Sequence, residues 1–225
     1  MTNFWRLDLS RSQGPAEAFG WEALPAWPGP ARAYNLAVAQ HNGFDTCIYL
    51  ISGRCDPDAA HVEEAAGFRA TEDFYALQDV YEFNPNRYDA ASFDPQRRAY
   101  RGQGQFAQPW RPRADVPHCV MAGTAAALGQ SHIFVLGGAD GTRAPRAEQM
   151  KLEHPGFPKR TLAFHTITNT WIDAGPSPAN HVTTVAATWD DAVVIASGEI
   201  KPRVRTRDVW AVRPVDRTRS FGAIN

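Results

Sequence analysis

The segment that decides the fold is "SHIFVLGGAD", Ser131–Asp140, an apolar run that ends in two glycines. A second apolar run, "VMAGTAAAL" at 120–128, precedes it across the short turn "GQ", and "TLAFHTITNTW", Thr161–Trp171, follows it. Short apolar runs separated by polar turns favour strands that are joined as hairpins. The segment therefore predicts a unit of consecutive antiparallel strands with a glycine pair and a tryptophan.

The same unit recurs along the chain. The runs "TCIYLISGR" (Thr46–Arg54) and "DAVVIASGE" (Asp191–Glu199) also end in small residues, and each follows another apolar run across a polar turn. After each small-residue end, a loop leads to a predicted third strand, and the chain start "NFWRLDLS" fits the same place. These third strands begin at Asp79, Thr161 and Asp208, and a tryptophan-bearing fourth strand is predicted at Trp21, Trp110 and Trp171.

The spacings of two residue types give the period of this repeat. Gly53 and Gly138 are 85 residues apart and Gly138 and Gly198 are 60 apart, while the tryptophan spacings are 89 and 61. A period near 60 residues with one insertion of about 25 residues explains both series. The insertion is divided between 56–78, where we predict the short helix of the chain, and 87–105.

Four short antiparallel strands per unit are typical of a β-propeller blade, and the glycine pair and spaced tryptophan resemble the kelch repeat. The alternative, a β-sandwich, would leave the shared period to coincidence. We predict an all-β, kelch-type β-propeller over 1–220 that is incomplete, with about three to three and a half four-stranded blades of an expected six. The predicted parts are the end of one blade at 1–28, a blade with the insertion at 29–112, a blade at 113–175 and an incomplete blade at 176–216. The three tryptophans should pack between blades.

An open arc of blades would leave apolar faces uncovered at both ends. We therefore expect the chain to be a fragment of a longer protein, with dimerisation as the alternative.

The bulk composition excludes several classes of protein. The chain has 225 residues, a net charge of −1 and 44% hydrophobic residues, which is ordinary for a globular protein and predicts no nucleic-acid partner. Cys47, Cys55 and Cys119 form no CxxC motif, so three free thiols are expected over a Cys47–Cys55 disulfide. The seven histidines show no metal-ligand spacing, and we expect neither a metal nor another cofactor. The N-terminal stretch "MTNFWRLDLS" lacks a basic n-region and an apolar h-region, so we expect it not to be a signal peptide. No apolar run reaches about 18 residues, so no membrane span is expected in this chain.

A second informative stretch is "VVIASGEIKPRVRTRDVW", Val193–Trp210, where the carboxylate of Glu199 follows a strand and precedes four cations. Its core, "GEIKPRVRT" (Gly198–Thr206), resembles the Gly-Glu-x-Lys-Pro-x-x-Arg-Thr signature of the bacterial N-acetylneuraminate mutarotases. Those proteins are six-bladed kelch propellers that interconvert the α and β anomers of sialic acid. The resemblance implies sialic acid or a related sugar as substrate.

"GPARAY" (Gly29–Tyr34) is similar to the start of the last blade in that family, but here it stands first, so the resemblance is to a cyclically permuted branch. In that branch the propeller is often fused to a sodium/solute symporter, and "SFGAIN" (220–225) looks like the beginning of the first symporter helix. The resemblance therefore implies a symporter domain in the parent chain and a location at the periplasmic face of the inner membrane.

The resemblance assigns the catalytic glutamate to Glu199 and the essential arginine to Arg205. Mutarotation needs one group that removes and returns the proton of the anomeric hydroxyl, and a carboxylate can do both. A guanidinium would hold the carboxylate of the sugar beside this base. The alternative is an ordinary salt bridge between Glu199 and Arg205 in a turn.

Four further residues are weaker candidates for substrate contacts: Arg32, Tyr34, Arg54 and Lys201. Arg32 and Tyr34 open an innermost strand, and Arg54 takes the place of a kelch glycine at the end of the channel. For each of the three, a structural role is the alternative. Lys201 lies in the signature, where the alternative is a solvated charge.

Two other functions compete with the mutarotase. A non-catalytic kelch module would hold a sugar or a protein partner beside a symporter, and it should tolerate the change Glu199→Gln. A copper radical oxidase would need a Tyr–Cys cross-link and Tyr/His copper ligands; "CIYLISGRC" at 47–55 contains both Tyr and Cys, but not in that arrangement.

Overall fold

The fold is nearly all β. The computed structural model describes residues 3–15, 19–88, 93–94, 99–100, 108–177 and 179–213, and this part of the chain forms eighteen strands and one short α-helix. The strands are β1 Phe4–Leu7, β2 Trp21–Leu24, β3 Leu36–His41, β4 Thr46–Cys55, β5 Gly67–Arg69, β6 Tyr75–Phe83, β7 Phe93–Asp94, β8 Ala99–Tyr100, β9 Trp110–Arg113, β10 Thr124–Leu128, β11 His132–Leu136, β12 Arg160–His165, β13 Thr170–Pro176, β14 Ala186–Trp189, β15 Ala192–Ala196, β16 Glu199–Lys201, β17 Val204–Arg205 and β18 Val209–Val212. The helix α1 is Ala147–Met150, and 3₁₀ turns cover Leu9–Arg11, Val62–Glu64, Pro85–Arg87, Ala144–Arg146 and Lys151–Glu153.

These strands form consecutive antiparallel sheets. One sheet has the order β3-β4-β6, with β9 paired to one end of β6 and β5 paired to the other end. The next is the four-stranded sheet β10-β11-β12-β13, and the third is β14-β15-β18. Strands β1 and β2 form a separate pair that packs on the first of these sheets through Phe4, whose ring lies 4.9 Å from that of Phe83. The chain is an incomplete kelch-type β-propeller, as predicted.

The repeat is visible in the backbone at the end of each second strand. Gly53, Gly138 and Gly198 have φ angles of +110°, +115° and +105°, a region that glycine enters without strain. A Cβ atom at these positions would lie 2.8, 2.6 and 2.9 Å from the carbonyl oxygens of Ala33, Val120 and Val182. The small residues of the sequence repeat are therefore required by a close approach of the first strand of each blade.

The residue after each glycine occupies the same place in its blade. Arg54 bridges Ala33, Ala139 bridges Met121 and Glu199 bridges Val182 across the same short backbone ladder. We call Arg54, Ala139 and Glu199 the rim residues. Because the three sheets are consecutive around the propeller axis, the rim residues lie at one end of the channel.

The residues just before the innermost strands β3, β10 and β14 are joined to each other by main-chain hydrogen bonds. Ala122 donates to the carbonyl of Tyr34 at 2.8 Å, and Thr183 donates to the carbonyl of Ala122 at 2.9 Å. All three residues have left-handed φ angles of +57° or +58°. The channel wall thus repeats from blade to blade.

The blades pack through apolar faces. Tyr49, Ile133 and Phe164 are fully buried between the first two large sheets, and Val193 and Ile195 pack against Ala126 and Leu136 between the second and third. Trp110 and Trp171 anchor the outer strands, because their indole N–H groups donate to the carbonyls of Pro25 (2.8 Å) and Ala114 (2.9 Å).

The first sheet also contains a buried charge network. Glu82 on β6 accepts hydrogen bonds from Arg111 (2.8 and 2.9 Å), Asn42 (3.0 Å) and Tyr49 (3.0 Å), and Arg113 lies 3.5 Å away. Burial alone would raise the pKa of Glu82, but the hydrogen bonds from Arg111 and Asn42 and the two positive charges outweigh it, so the pKa is lowered.

Two sequence predictions were wrong in detail. Trp21 does not pack between blades, because 67% of its surface is exposed on β2. The predicted helix in 56–78 is only the 3₁₀ turn Val62–Glu64, and the segment then returns as β5 to extend the sheet. The α-helix of the described chain is α1 instead.

Other expectations meet the structure only in part. Cys47, Cys55 and Cys119 are buried, free thiols in the structure. Of the insertion at 87–105, most lies outside the described residues, as does the segment 220–225. Within the described ranges, no helix has the length and apolar character needed to cross a bilayer.

Candidate functional site

Glu199 begins a short hairpin that stands at the end of the channel. Strands β16 and β17 form this hairpin, which we call the Glu199 hairpin, and Arg203 turns it with a left-handed φ of +63°. The backbone of Glu199 exchanges two hydrogen bonds with Val182, at 2.8 and 3.0 Å. The carboxylate is thus carried by a fixed backbone position rather than by a free loop.

Glu199 and Arg205 face each other across the hairpin. They are paired in register, and Nη2 of Arg205 lies 3.7 Å from Oε1 of Glu199. The side chain of Glu199 is 23% exposed and that of Arg205 is 62% exposed. In the described part of the chain, no group donates a hydrogen bond to the Glu199 carboxylate. The carboxylate is therefore partly shielded from solvent and lies next to a cation.

The other cations of the signature attach the hairpin to the neighbouring blade. Lys201 donates from Nζ to the carbonyl of Leu152 at 2.6 Å, and Arg203 pairs with Glu148 on α1. Lys201 therefore supports the hairpin, whereas the sequence had made it a candidate for substrate binding.

Arg32 lies inside its blade and not on the channel. Its guanidinium forms two hydrogen bonds with Asp79, at 2.7 and 2.6 Å, and lies over the rings of Trp27 and Tyr81. The side chain is fully buried. Gly29 makes room for it, since a Cβ there would lie 2.7 Å from Arg32 Nη2. In the described structure Arg32 has the structural role that the sequence left as the alternative.

Tyr34 and Arg54 are brought together. Tyr34 is 47% exposed at the start of the innermost strand, and the guanidinium of Arg54 lies 4.7 Å from the centre of its ring. The ring of Phe74, 5.1 Å away, also lies against this guanidinium. Phe74 was missed by sequence reasoning, because nothing in the loop before β6 indicates which rim residue it will meet.

Two clefts adjoin these residues. The starts of the three inner strands line a channel cleft of about 400 Å³, which includes Tyr34. A second cleft of about 320 Å³ lies beside the Glu199 hairpin and is lined by Lys201, His181 and Trp210. In the described residues, Nδ1 of His181 and Nε1 of Trp210 are buried without a hydrogen-bond partner.

The neighbouring Asn180 has a structural task, because it exchanges hydrogen bonds with the backbone of Gly138 at 3.0 Å and so joins two blades. Among the described residues, no group of three or more His, Cys, Asp or Glu side chains could hold a metal ion.

The sheets, the repeated glycine turns and the rim define a protein of the kelch-type β-propeller class. A solved structure described as "Structure of YjhT" is similar to this chain, with a TM-score of 0.61 and 17% sequence identity. The similarity covers 96% of this chain and 60% of that one, so the chain spans less than two thirds of the length of its structural neighbour. No protein-family model and no curated protein matches the sequence. At this identity the neighbour shows the fold.

Proposed function

We propose that this chain carries the site of a sialic acid mutarotase-like activity, which interconverts the α and β anomers of N-acetylneuraminate or a related sugar. The observation that supports it is the geometry of Glu199. Glu199 is a rim residue, and its carboxylate lies 3.7 Å from Arg205 on the hairpin whose sequence resembles the mutarotase signature.

The reaction opens and recloses the sugar ring, and the only chemistry that the protein must supply is proton transfer. Glu199 removes the proton of the anomeric hydroxyl, the bond between the anomeric carbon and the ring oxygen breaks, and the ring oxygen gains a proton as the open-chain ketone forms. Rotation about the adjacent carbon–carbon bond presents the other face of the ketone. Reclosure reverses the proton transfers and gives the other anomer, with no net oxidation or loss of atoms.

The carboxylate of the sugar requires a cation close to this base, since it is attached to the reacting carbon. Arg205, which faces Glu199, and the rim residue Arg54 both carry guanidinium groups at this end of the channel. Arg205 is the ion-pair partner of Glu199. Whichever of the two arginines binds the carboxylate of the sugar, Arg205 orients the carboxylate of Glu199 that exchanges the proton.

The resemblance of 220–225 to a symporter helix supports a further part of the proposal, although those residues lie outside the described structure. The domain would act at the periplasmic face of the membrane and present one anomer to a sodium/solute symporter in the parent chain.

The direct test is proton NMR of fresh α-N-acetylneuraminate, at a pH where spontaneous conversion is slow. We expect the chain to accelerate conversion to the β anomer, and Glu199→Gln to lose about 100-fold or more of that acceleration. Glu148→Gln is the matched control, because Glu148 also pairs with an arginine of the Glu199 hairpin but is exposed on α1. It should keep the activity of the parent chain.

If the parent chain accelerates the conversion and Glu199→Gln accelerates it equally, Glu199 is not the catalytic base and the proposed mechanism is rejected. If the folded chain shows no acceleration, the assay is repeated with the full parental reading frame, and inactivity there also rejects the proposal.

A further inference from the structure

Arg54 is a partly buried cation without an acceptor. In the described part of the chain its backbone exchanges two hydrogen bonds with Ala33, both at 2.9 Å, but its guanidinium forms no hydrogen bond and no ion pair. Buried and half-buried guanidinium groups are normally paired, because they have five N–H donors to satisfy. A guanidinium that is held in place, with its N–H donors unused, favours the binding of an anionic ligand.

Two aromatic rings hold this guanidinium. Its central carbon lies 4.7 Å from the ring centre of Tyr34 and 5.1 Å from that of Phe74, which are distances of cation–π contacts. Contacts of this kind fix the guanidinium while they use none of its N–H groups. The donors stay free for a planar, bidentate partner, and a carboxylate has that shape.

The repeat places Arg54 at the same end of the channel as the proposed base. Arg54, Ala139 and Glu199 are equivalent rim residues of three consecutive blades. The rim therefore presents a cation, then an uncharged residue, then a carboxylate. Arg205 differs from Arg54, because its charge already faces Glu199 at 3.7 Å and most of its side chain is in solvent.

We propose that Arg54, held between Tyr34 and Phe74, is the residue that binds the carboxylate of the substrate, and that Arg205 serves to position Glu199. The proposal rests on the proposed function for the identity of the acid. It makes the substrate class narrower: a sugar acid whose carboxylate reaches Arg54 while its anomeric hydroxyl reaches Glu199.

The test compares N-acetylneuraminate with its methyl ester, which lacks the negative charge but keeps the anomeric centre. For the parent chain we expect kcat/KM for the acid to exceed that for the ester by about 10- to 100-fold, as for a charge-assisted bidentate pair. Arg54→Gln should remove this preference by weakening only the reaction of the acid. Arg205→Gln is the matched control, and it should slow both sugars while the preference for the acid remains.

Phe74→Leu gives a second, milder test. It keeps the charge of Arg54 but removes one of the rings that hold it, so KM for the acid should rise several-fold while KM for the ester should not change. Urea unfolding of each variant verifies that the fold is retained.

The proposal is overturned if the preference for the acid survives in Arg54→Gln, or if it disappears only in Arg205→Gln. Failure of the mutarotase function can be distinguished from failure of the Arg54 proposal, because binding of the acid and the ester can be measured by calorimetry without turnover. A chain that catalyses nothing but loses its preference for the acid in Arg54→Gln still supports the Arg54 site. A chain that binds acid and ester equally contradicts it.

Discussion

Arg32 and Arg54 lie 22 positions apart in the sequence and show how the environment decides the role of an arginine. Arg32 is fully buried and forms an ion pair with Asp79, so removing Arg32 would leave the buried carboxylate of Asp79 without this partner. Arg54 makes no such pair in the described structure. The first residue should therefore matter for stability and the second for ligand binding.

At this scale we predict that Arg32→Ala lowers the free energy of unfolding by about 3–5 kcal/mol, since it breaks a buried ion pair from one side. Urea unfolding measures the effect. Arg203→Ala is the control, because Arg203 pairs with Glu148 at the surface and should cost less than about 1 kcal/mol. Similar losses in the two variants would contradict the structural role of Arg32.

Among the elements, the turn between β15 and β16 has the strictest requirement. Gly198 needs its positive φ, and it also lies where a Cβ would be 2.9 Å from the carbonyl oxygen of Val182. Gly175 on β13 has a similar φ of +97°, but no atom lies within 4 Å of its hypothetical Cβ. Comparing alanine substitutions at Gly175 and Gly198 therefore separates the cost of a positive φ from the cost of a steric clash.

We expect Gly175→Ala to destabilise the chain by about 1 kcal/mol through its φ alone, and Gly198→Ala to cost about 3 kcal/mol because a clash is added. Gly198→Ala should also reduce mutarotation, since it displaces the backbone of Glu199. Chemical unfolding and the NMR assay test the two effects. Equal destabilisation would show that the first strand moves away at little cost.

The link between β4, β6 and β9 is sensitive to acid, because it depends on ionised Glu82. The pKa of Glu82 in the folded chain lies below its ordinary value of 4.5. Its stabilising contribution is therefore complete above pH 4.5 and is lost as the pH falls through the lower, folded-state pKa.

Glu82→Gln should lower the free energy of unfolding at pH 7 by about 3–5 kcal/mol, because Arg111 and Arg113 lose their partner. The difference from the parent chain should shrink below pH 4.5. Urea titrations between pH 7 and pH 3 measure it. A difference that stays constant with pH would show that Glu82 acts through packing and not through charge.

For the molecule as a whole, the reactivity of the three buried thiols shows whether the packed blades separate in solution. Cys47, Cys55 and Cys119 are all buried, and burial followed by the charge of Glu82 raises the pKa of Cys47 to about 12. We predict that a thiol reagent at pH 8 labels none of them within minutes in the native chain and all three in denaturant. Rapid labelling of one thiol would locate a blade that opens.

The sequence predicted the parts of the molecule that repeat. The period of the glycines required the same turn in three blades, and the nine-residue signature singled out Glu199 and Arg205. The hairpin that pairs these two residues in register was seen only in the structure. The features it missed depend on contacts between distant segments. Whether Trp21 is covered, and which rings meet Arg54, is decided by loops that carry no periodic signal.

The hydrogen bonds that pass from Tyr34 to Ala122 to Thr183 involve only main-chain atoms. Apart from the left-handed φ that all three positions share, these bonds make few demands on side-chain identity, since every residue except proline carries the N–H they need and the positions already hold three residue types. Mutation can therefore rewrite most of the wall without displacing the carboxylate at its edge. A fold that is held in this way can therefore be retained after most of the sequence identity between related chains has been lost.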